Sequence, residues 1–317
     1  MLREWEFQLA QLANLGFIPG ACHVMGLQSG VPYGFWRDDR RVTASRLHTK
    51  LADAYIAAGV QNGNNNTIFV TPDNHTIDAS QTFDKNMTHV VGMYPDEARM
   101  NHRTRLTQST AFTPFVNVSG YGNLFKSLYL EHGTDVADVV GLLVSGNRNT
   151  FVNCYLNSPV NAALASDAGL ISLHVSGAEN YFKNCTFGNH TMALDEASCL
   201  VKFAAGNGIN IFENCIFLMR CTDTEPYFIH VVNTSDTGMA IFKNCTFIAD
   251  PGTAGTPAIA CYFAGSSMGY LYFDPLCQFI NVTNISATTK DQYLRLATVL
   301  ASTDDDVGMI ATTPAFS

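Results

Sequence analysis

Carboxylates recur at one station along the middle of this 317-residue chain: Asp138, Asp167, Asp195 with Glu196, and Asp223 with Glu225. Each follows Leu128, Cys154, Cys185 or Cys215, a position that is usually Cys, by eight to thirteen residues. A pair of carboxyl groups, one a proton donor and one ionised, is what cleavage of a glycosidic bond requires, and His190 and His230 could add imidazoles. Gathered on one edge, these acids would suit the cleavage or the binding of a sugar chain. Their drifting offsets, and the abundance of acids in solvated loops, favour a polar rim instead. No Ser/His/Asp order, phosphate loop or zinc spacing stands out, "GNGIN" from Gly206 reads as a turn, and a lone His174 reads as a hydrogen-bonded wall residue. We therefore assign no catalytic residue, no metal site and no cofactor.

The nine cysteines include no Cys-x-x-Cys pair, so they read as a buried, reduced stack. They belong to a repeated phrase: "NTFVNCYLNS" from Asn149, "NYFKNCTFGN" from Asn180, "NIFENCIFLM" from Asn210 and "AIFKNCTFIA" from Ala240. Cys154, Cys185, Cys215 and Cys245 are 31, 30 and 30 residues apart, and Val144-Ser-Gly146 and Val175-Ser-Gly177 precede their Cys by eight. Fainter copies from Val118 and Phe263 bring the number to six. A fixed period of this length means a solenoid, propeller or array. Within the phrase, Phe182 and Cys185 point inward and Lys183 and Thr186 outward, which needs a bend at Asn184, a residue type that tolerates left-handed backbone. Asn153, Asn184, Asn214 and Asn244 are expected to stack as a ladder of bonded amides, with Phe151, Phe182, Phe212 and Phe242 and the four Cys stacked inside.

Period, bend and stack together predict an all-β parallel β-helix. Over residues 43 to 282 the phrase, its Asn corner and the preceding helix resemble the pectate-lyase-like right-handed parallel β-helix superfamily, in the compact form seen on tailed-phage virions. That resemblance specifies fold well and activity poorly. Many of its members act on polysaccharides. A polygalacturonase would imply Asn-x-Asp, Asp-Asp and Gly-His-Gly signatures, to which "EHGTD" from Glu131 is the nearest approach, and a pectate lyase would imply clustered acids and Arg, whereas Arg148 and Arg220 stand alone.

Outside the repeat, "TASRLHTKLADAYIAAGV" places Leu47, Leu51, Ala54, Tyr55 and Ala58 on one helical face. We expect an anchoring arm over 1–42 bearing Trp5, Phe17, Tyr33, Phe35 and Trp36, a capping helix over 43–62, the β-helix over 63–282, and a C-terminal cap and tail over 283–317. On the wall, Lys183, Glu213 and Lys243 alternate in sign, whereas Tyr155, Thr186, Ile216 and Thr246 form an uncharged outward column. That column is either a homotrimer interface or a β-branched ladder that simply suits a strand.

A net charge of -9 with 18 basic residues argues against nucleic-acid binding, and no apolar run is long enough to cross a membrane. The acidic start, "MLREWEFQLAQ", reads as a chain that folds in a host cytoplasm. The expectation is a non-enzymatic virion protein, a capsid decoration or a tail or fibre component, partnered by capsid or tail proteins. The alternatives are a tailspike-like depolymerase or a glycan-binding module that uses the acidic edge toward a host surface glycan.

Overall fold

The computed structural model describes residues 22–26, 44–59, 65–93, 104–132, 139–157, 169–194, 198–204, 208–221, 226–232, 238–250, 259–264, 270–282, 284–286 and 294–296. The chain winds through three parallel sheets of 11, 8 and 8 strands. One full coil runs through Tyr181–Lys183 in the first sheet, Thr186–Leu194 in the second and Cys199–Phe203 in the third. The next coil repeats this path as Ile209–Glu213, Ile216–Cys221 and Tyr227–Val231. Chain neighbours therefore lie in different sheets, and sheet neighbours lie about 30 residues apart, as in Phe182 against Phe212.

The corner between first and second sheets is the Asn of the phrase. Asn153, Asn184, Asn214 and Asn244 have φ of 53°, 54°, 55° and 50°. Their backbone N–H groups donate to the next coil: Asn153 to Lys183 O (3.0 Å), Asn184 to Glu213 O (2.9 Å) and Asn214 to Lys243 O (2.9 Å). The predicted bond between stacked amides joins Asn244 Nδ2 to Asn214 Oδ1 at 2.7 Å.

A second, buried set of asparagines, the first letter of the phrase, ties the coils together at the opposite corner. Asn149 N donates to Asn180 Oδ1 at 2.9 Å, and Asn180 N to Asn210 Oδ1 at 3.0 Å. Each amide nitrogen then reaches back one coil: Asn149 Nδ2 to Gly120 O (2.9 Å), Asn180 Nδ2 to Gly146 O (3.0 Å) and Asn210 Nδ2 to Gly177 O (3.1 Å). The Gly of each Val-Ser-Gly is required by the same stacking, because a Cβ on Gly177 would lie 2.0 Å from Gly146 O. Below this relay Asn123 N donates to Asn149 Oδ1, and above it Ala240 takes the register position of Asn210 and ends it.

Inside, the repeat makes columns of rings. Phe125, Phe151, Phe182, Phe212, Phe242 and Phe273 stack with centroids 4.6 to 4.9 Å apart. A second column, Phe187, Phe217, Phe247 and Phe279, stacks at 4.4 to 4.9 Å. The thiols follow the same rule, with Cys185 Sγ donating to Phe151 O at 3.5 Å and Cys215 Sγ to Phe182 O at 3.4 Å. Cys154, Cys185, Cys215 and Cys245 form no disulfide, and burial pushes the Cys154, Cys185 and Cys215 thiols well above their usual value.

The ends depart from the sequence expectation. Cys22–Met25, assigned to an arm, pairs with Thr67–Val70 and joins the first sheet. Leu47, expected on the helix, lies in a short strand beside Val24. The helix itself spans Leu51–Gly59 and buries Leu51, Ala54, Tyr55 and Ala58. Regular coils begin at Asn66–Val70, within the expected 63–282, and the first coils keep the inward apolar positions without the phrase's Cys. The anchoring residues Trp5, Phe17, Tyr33, Phe35 and Trp36 lie outside the described residues.

The expected uncharged column is also different. Its register continues from Tyr155 through Tyr129 to Arg105, whose guanidinium lies 4.8 Å over the Tyr129 ring. Tyr155 and Thr186 are 5% and 1% exposed, so only Ile216 and Thr246 retain solvent contact. The charged column is present, with Lys183 Nζ 3.1 Å from Glu213 Oε1.

These contacts rank three substitutions. Asn180→Ala unpairs Asn149 N and Gly146 O in the interior and should cost about 2 to 4 kcal/mol. Asn184→Gly keeps the left-handed corner and should cost under about 1 kcal/mol. Phe212→Ala should cost about 3 to 5 kcal/mol. Thermal melting of the three variants checks the order. The buried thiols of Cys154, Cys185 and Cys215 should resist a polar alkylating reagent in the native protein and react once it is unfolded, which a mass-spectrometric time course reads directly.

Candidate functional site

The outer face of the third sheet carries chemistry that the interior does not need. In register along it stand Leu143, His174, Lys202, His230 and Tyr262, one from each of five consecutive coils. Each directly precedes the inward Val or Phe at the end of its strand, which is why the coil repeat brings them into line. Tyr227, three residues before His230 on the same strand, stacks on Tyr262 of the next coil with centroids 4.6 Å apart and planes 12° apart. His230 packs beside both rings, 5.9 Å from Tyr227 and 5.2 Å from Tyr262.

Lys202 lies between the two imidazoles. Burial first, and the Lys202 charge second, pulls His174 and His230 down to about 4, so both are neutral at neutral pH. The Nε2 atoms of His174 and His230 are buried without a hydrogen-bond partner. The face thus offers one cation, two half-buried imidazoles and a pair of stacked phenols. Such a set suits a polyhydroxylated ligand that lies flat on rings and is hydrogen-bonded at its edges.

The acids expected at an edge, Asp138, Asp167, Asp195, Glu196, Asp223 and Glu225, lie outside the described residues. They belong to segments 133–138, 158–168, 195–197 and 222–225, each of which joins a second-sheet strand to a third-sheet strand. His190 is exposed on the second-sheet strand Thr186–Leu194, whereas His230 is on the third sheet. Lys202, Tyr227 and Tyr262 were not singled out in the sequence. Their signal was the frame itself, since each of His174, Lys202, His230 and Tyr262 sits one residue before the same inward station.

Two other clusters are less suited to a ligand. Arg148 and Glu179, both at left-handed corners (φ 58° and 59°), are already paired at 2.5 Å beside Tyr121 and Asn147. His132 is 2% exposed, with both ring nitrogens unpartnered and its ring against Gly141. Among the described residues no three His, Cys, Asp or Glu are grouped to hold a metal, and no helix is long and apolar enough to cross a membrane.

This all-β parallel solenoid shares its β-helix fold with solved structures of pectin-degrading enzymes. Solved structures with this fold include pectin methylesterase PemA from Erwinia chrysanthemi (TM-score 0.57, 15% identity, 90% of this chain and 92% of that one). They also include a pectin methylesterase in complex with a hexasaccharide (TM-score 0.57, 15% identity, 85% and 81%), and the pectate lyase Pel9A (TM-score 0.52, 14% identity, 82% and 63%). At these identities the likeness shows the fold. No protein-family model matches the sequence, and neither does any curated protein.

Depressed imidazoles make stability depend on pH. His23, His89, His132, His174 and His230 are all held to about 4 against a usual 6.5, in each case chiefly by burial. Each stabilises the fold fully above the unfolded value. As pH falls from 6.5 toward 4 the unfolded chain binds protons that the fold refuses, and stability is lost. The melting temperature should therefore drop by at least about 5 °C between pH 7.5 and 4.5, and His132→Leu should shrink that drop. A calorimetric pH series measures both.

Proposed function

We propose that this chain is a non-enzymatic structural β-helix displayed on a virion surface, as a capsid decoration or a tail or fibre component, whose third-sheet face binds a host surface glycan. The observation that carries the binding role is the His174–Lys202–His230–Tyr262 column with its Tyr227 stack. The structural role draws on the interior, where stacked rings, thiols and amides make a stiff rod out of one repeated coil. The virion setting rests on the resemblance carried by the repeat. In this reading the rod is wound right-handed, the helix Leu51–Gly59 covers its first coils, the residues before Cys22 anchor it, and Ile216 and Thr246 contribute to a trimer contact.

A depolymerase is the second reading, favoured by the acids in the segments that lead into the same face. One assay separates the two. Incubated with polysaccharide, the protein should bind without releasing reducing ends, methanol or unsaturated products, and Tyr262→Ala should weaken binding about tenfold, the effect of losing about 1.4 kcal/mol of ring stacking. Sustained product release would make it an enzyme.

Because Cys22–Met25 is a sheet strand, the anchoring test is deletion of residues 1–21 only. The shortened protein should stay folded and leave the particle, and retention on the particle would contradict anchoring. Light scattering should give three times the 34.5 kDa chain mass for the wild type and a smaller mass for Ile216→Lys.

A further inference from the structure

We propose that the third-sheet face binds an anionic polysaccharide together with protons taken up by His174 and His230, so that its grip tightens as the surroundings acidify. This rests on the reading of that face as a glycan-binding surface, and adds the charge of the ligand and the regulation of its binding.

The geometry is a cation between two proton acceptors. Lys202 is the register partner of both His174 and His230, so a carboxylate or sulfate seated at Lys202 lies about one rung, 4.8 Å, from each imidazole. An opposite charge at that range favours the protonated ring. In the unliganded face the balance runs the other way, since Lys202 adds to the burial that keeps both rings neutral. An anion therefore offsets Lys202 and supplies the imidazolium with a counter-charge in one step.

The remaining neighbours neither mimic nor block this. In the same column His174 is followed on its far side by Leu143 and Asn117, and His230 by Tyr262. The adjacent column contributes Ile171, Cys199 and Tyr227, of which burial pushes the Cys199 thiol up to about 12. Lys202 is the charged group in these two columns among the described residues. The acids Asp167, Asp195, Glu196, Asp223 and Glu225 belong to segments outside the described residues. By linkage, each proton bound with the ligand steepens affinity by up to about tenfold per pH unit.

The test is calorimetric titration at pH 7.5 and 5.5 with polygalacturonate, dextran sulfate and neutral dextran, with circular dichroism confirming the fold at both pH values. For at least one of the two anionic chains we expect binding about tenfold or more tighter at pH 5.5, with net proton uptake read from buffers of different ionisation enthalpy. A carboxylate source responds in the first arm, a sulfate source in the second. Neutral dextran should show no pH dependence. His174→Gln with His230→Gln should flatten the pH response to under about twofold, whatever its affinity at pH 7.5. If that double variant misfolds, His230→Gln alone should halve the proton uptake. Binding that is level with pH, or a pH response that survives the loss of the imidazoles, overturns proton coupling and leaves the glycan-binding reading standing. Binding of none of the three at either pH overturns both.

Discussion

A parallel solenoid must satisfy every backbone group at each corner, coil after coil, in the same register. At the corner between the third and first sheets this protein meets that constraint with a buried amide. The oxygen of Asn180 accepts from the coil before it, and its nitrogen donates to the glycine carbonyl of that same coil. Both bonds are made away from water, where an unmade one costs most. Because the amide is rigid, two bonds fix the rise and the rotation of one coil on the next.

Everything stacked inside inherits that registration. Rings 4.6 to 4.9 Å apart and within 15° of parallel can recur along a column only if successive coils superpose. The thiols do the same on a smaller scale, each donating to a Phe carbonyl one coil back. On the wall the same registration sets Lys183 beside Glu213, so that their opposite charges meet. The outer column of the third sheet is a product of the same registration, since the coil repeat turns four residues far apart in sequence into adjacent neighbours.

Much of this was legible. Period, inward Phe and Cys, and the left-handed Asn corners all follow from the phrase, because a solenoid writes its geometry once per coil. The buried relay was written there too, in the first Asn of "NYFKNC" and the Gly of Val-Ser-Gly, but its meaning depends on which corner each residue occupies. The burial of Tyr155 and Thr186 was not legible: outward-facing does not mean exposed, and Tyr155 packs edge-on against the Tyr129 ring of the coil before it. Nor was the strand Cys22–Met25, since four residues with no periodic partner carry no pattern. In the candidate site, His230 was noted as a possible companion of the acids and His174 as a wall residue. Lys202, Tyr227 and Tyr262 gain significance only from the alignment of consecutive coils.

The functional account stands on one claim, that the third-sheet column is where this rod meets its ligand. A polysaccharide lying along it would cross the stacked tyrosines and then the His230, Lys202 and His174 rungs, parallel to the solenoid axis. The most direct measurement is a crystal structure of the protein soaked at pH 5.5 with an oligosaccharide of the chain it binds. The account predicts sugar density against Tyr227 and Tyr262, with an anionic group at Lys202. Sugar seated instead on the outer face of the first or second sheet, with the third-sheet column bare, would contradict it.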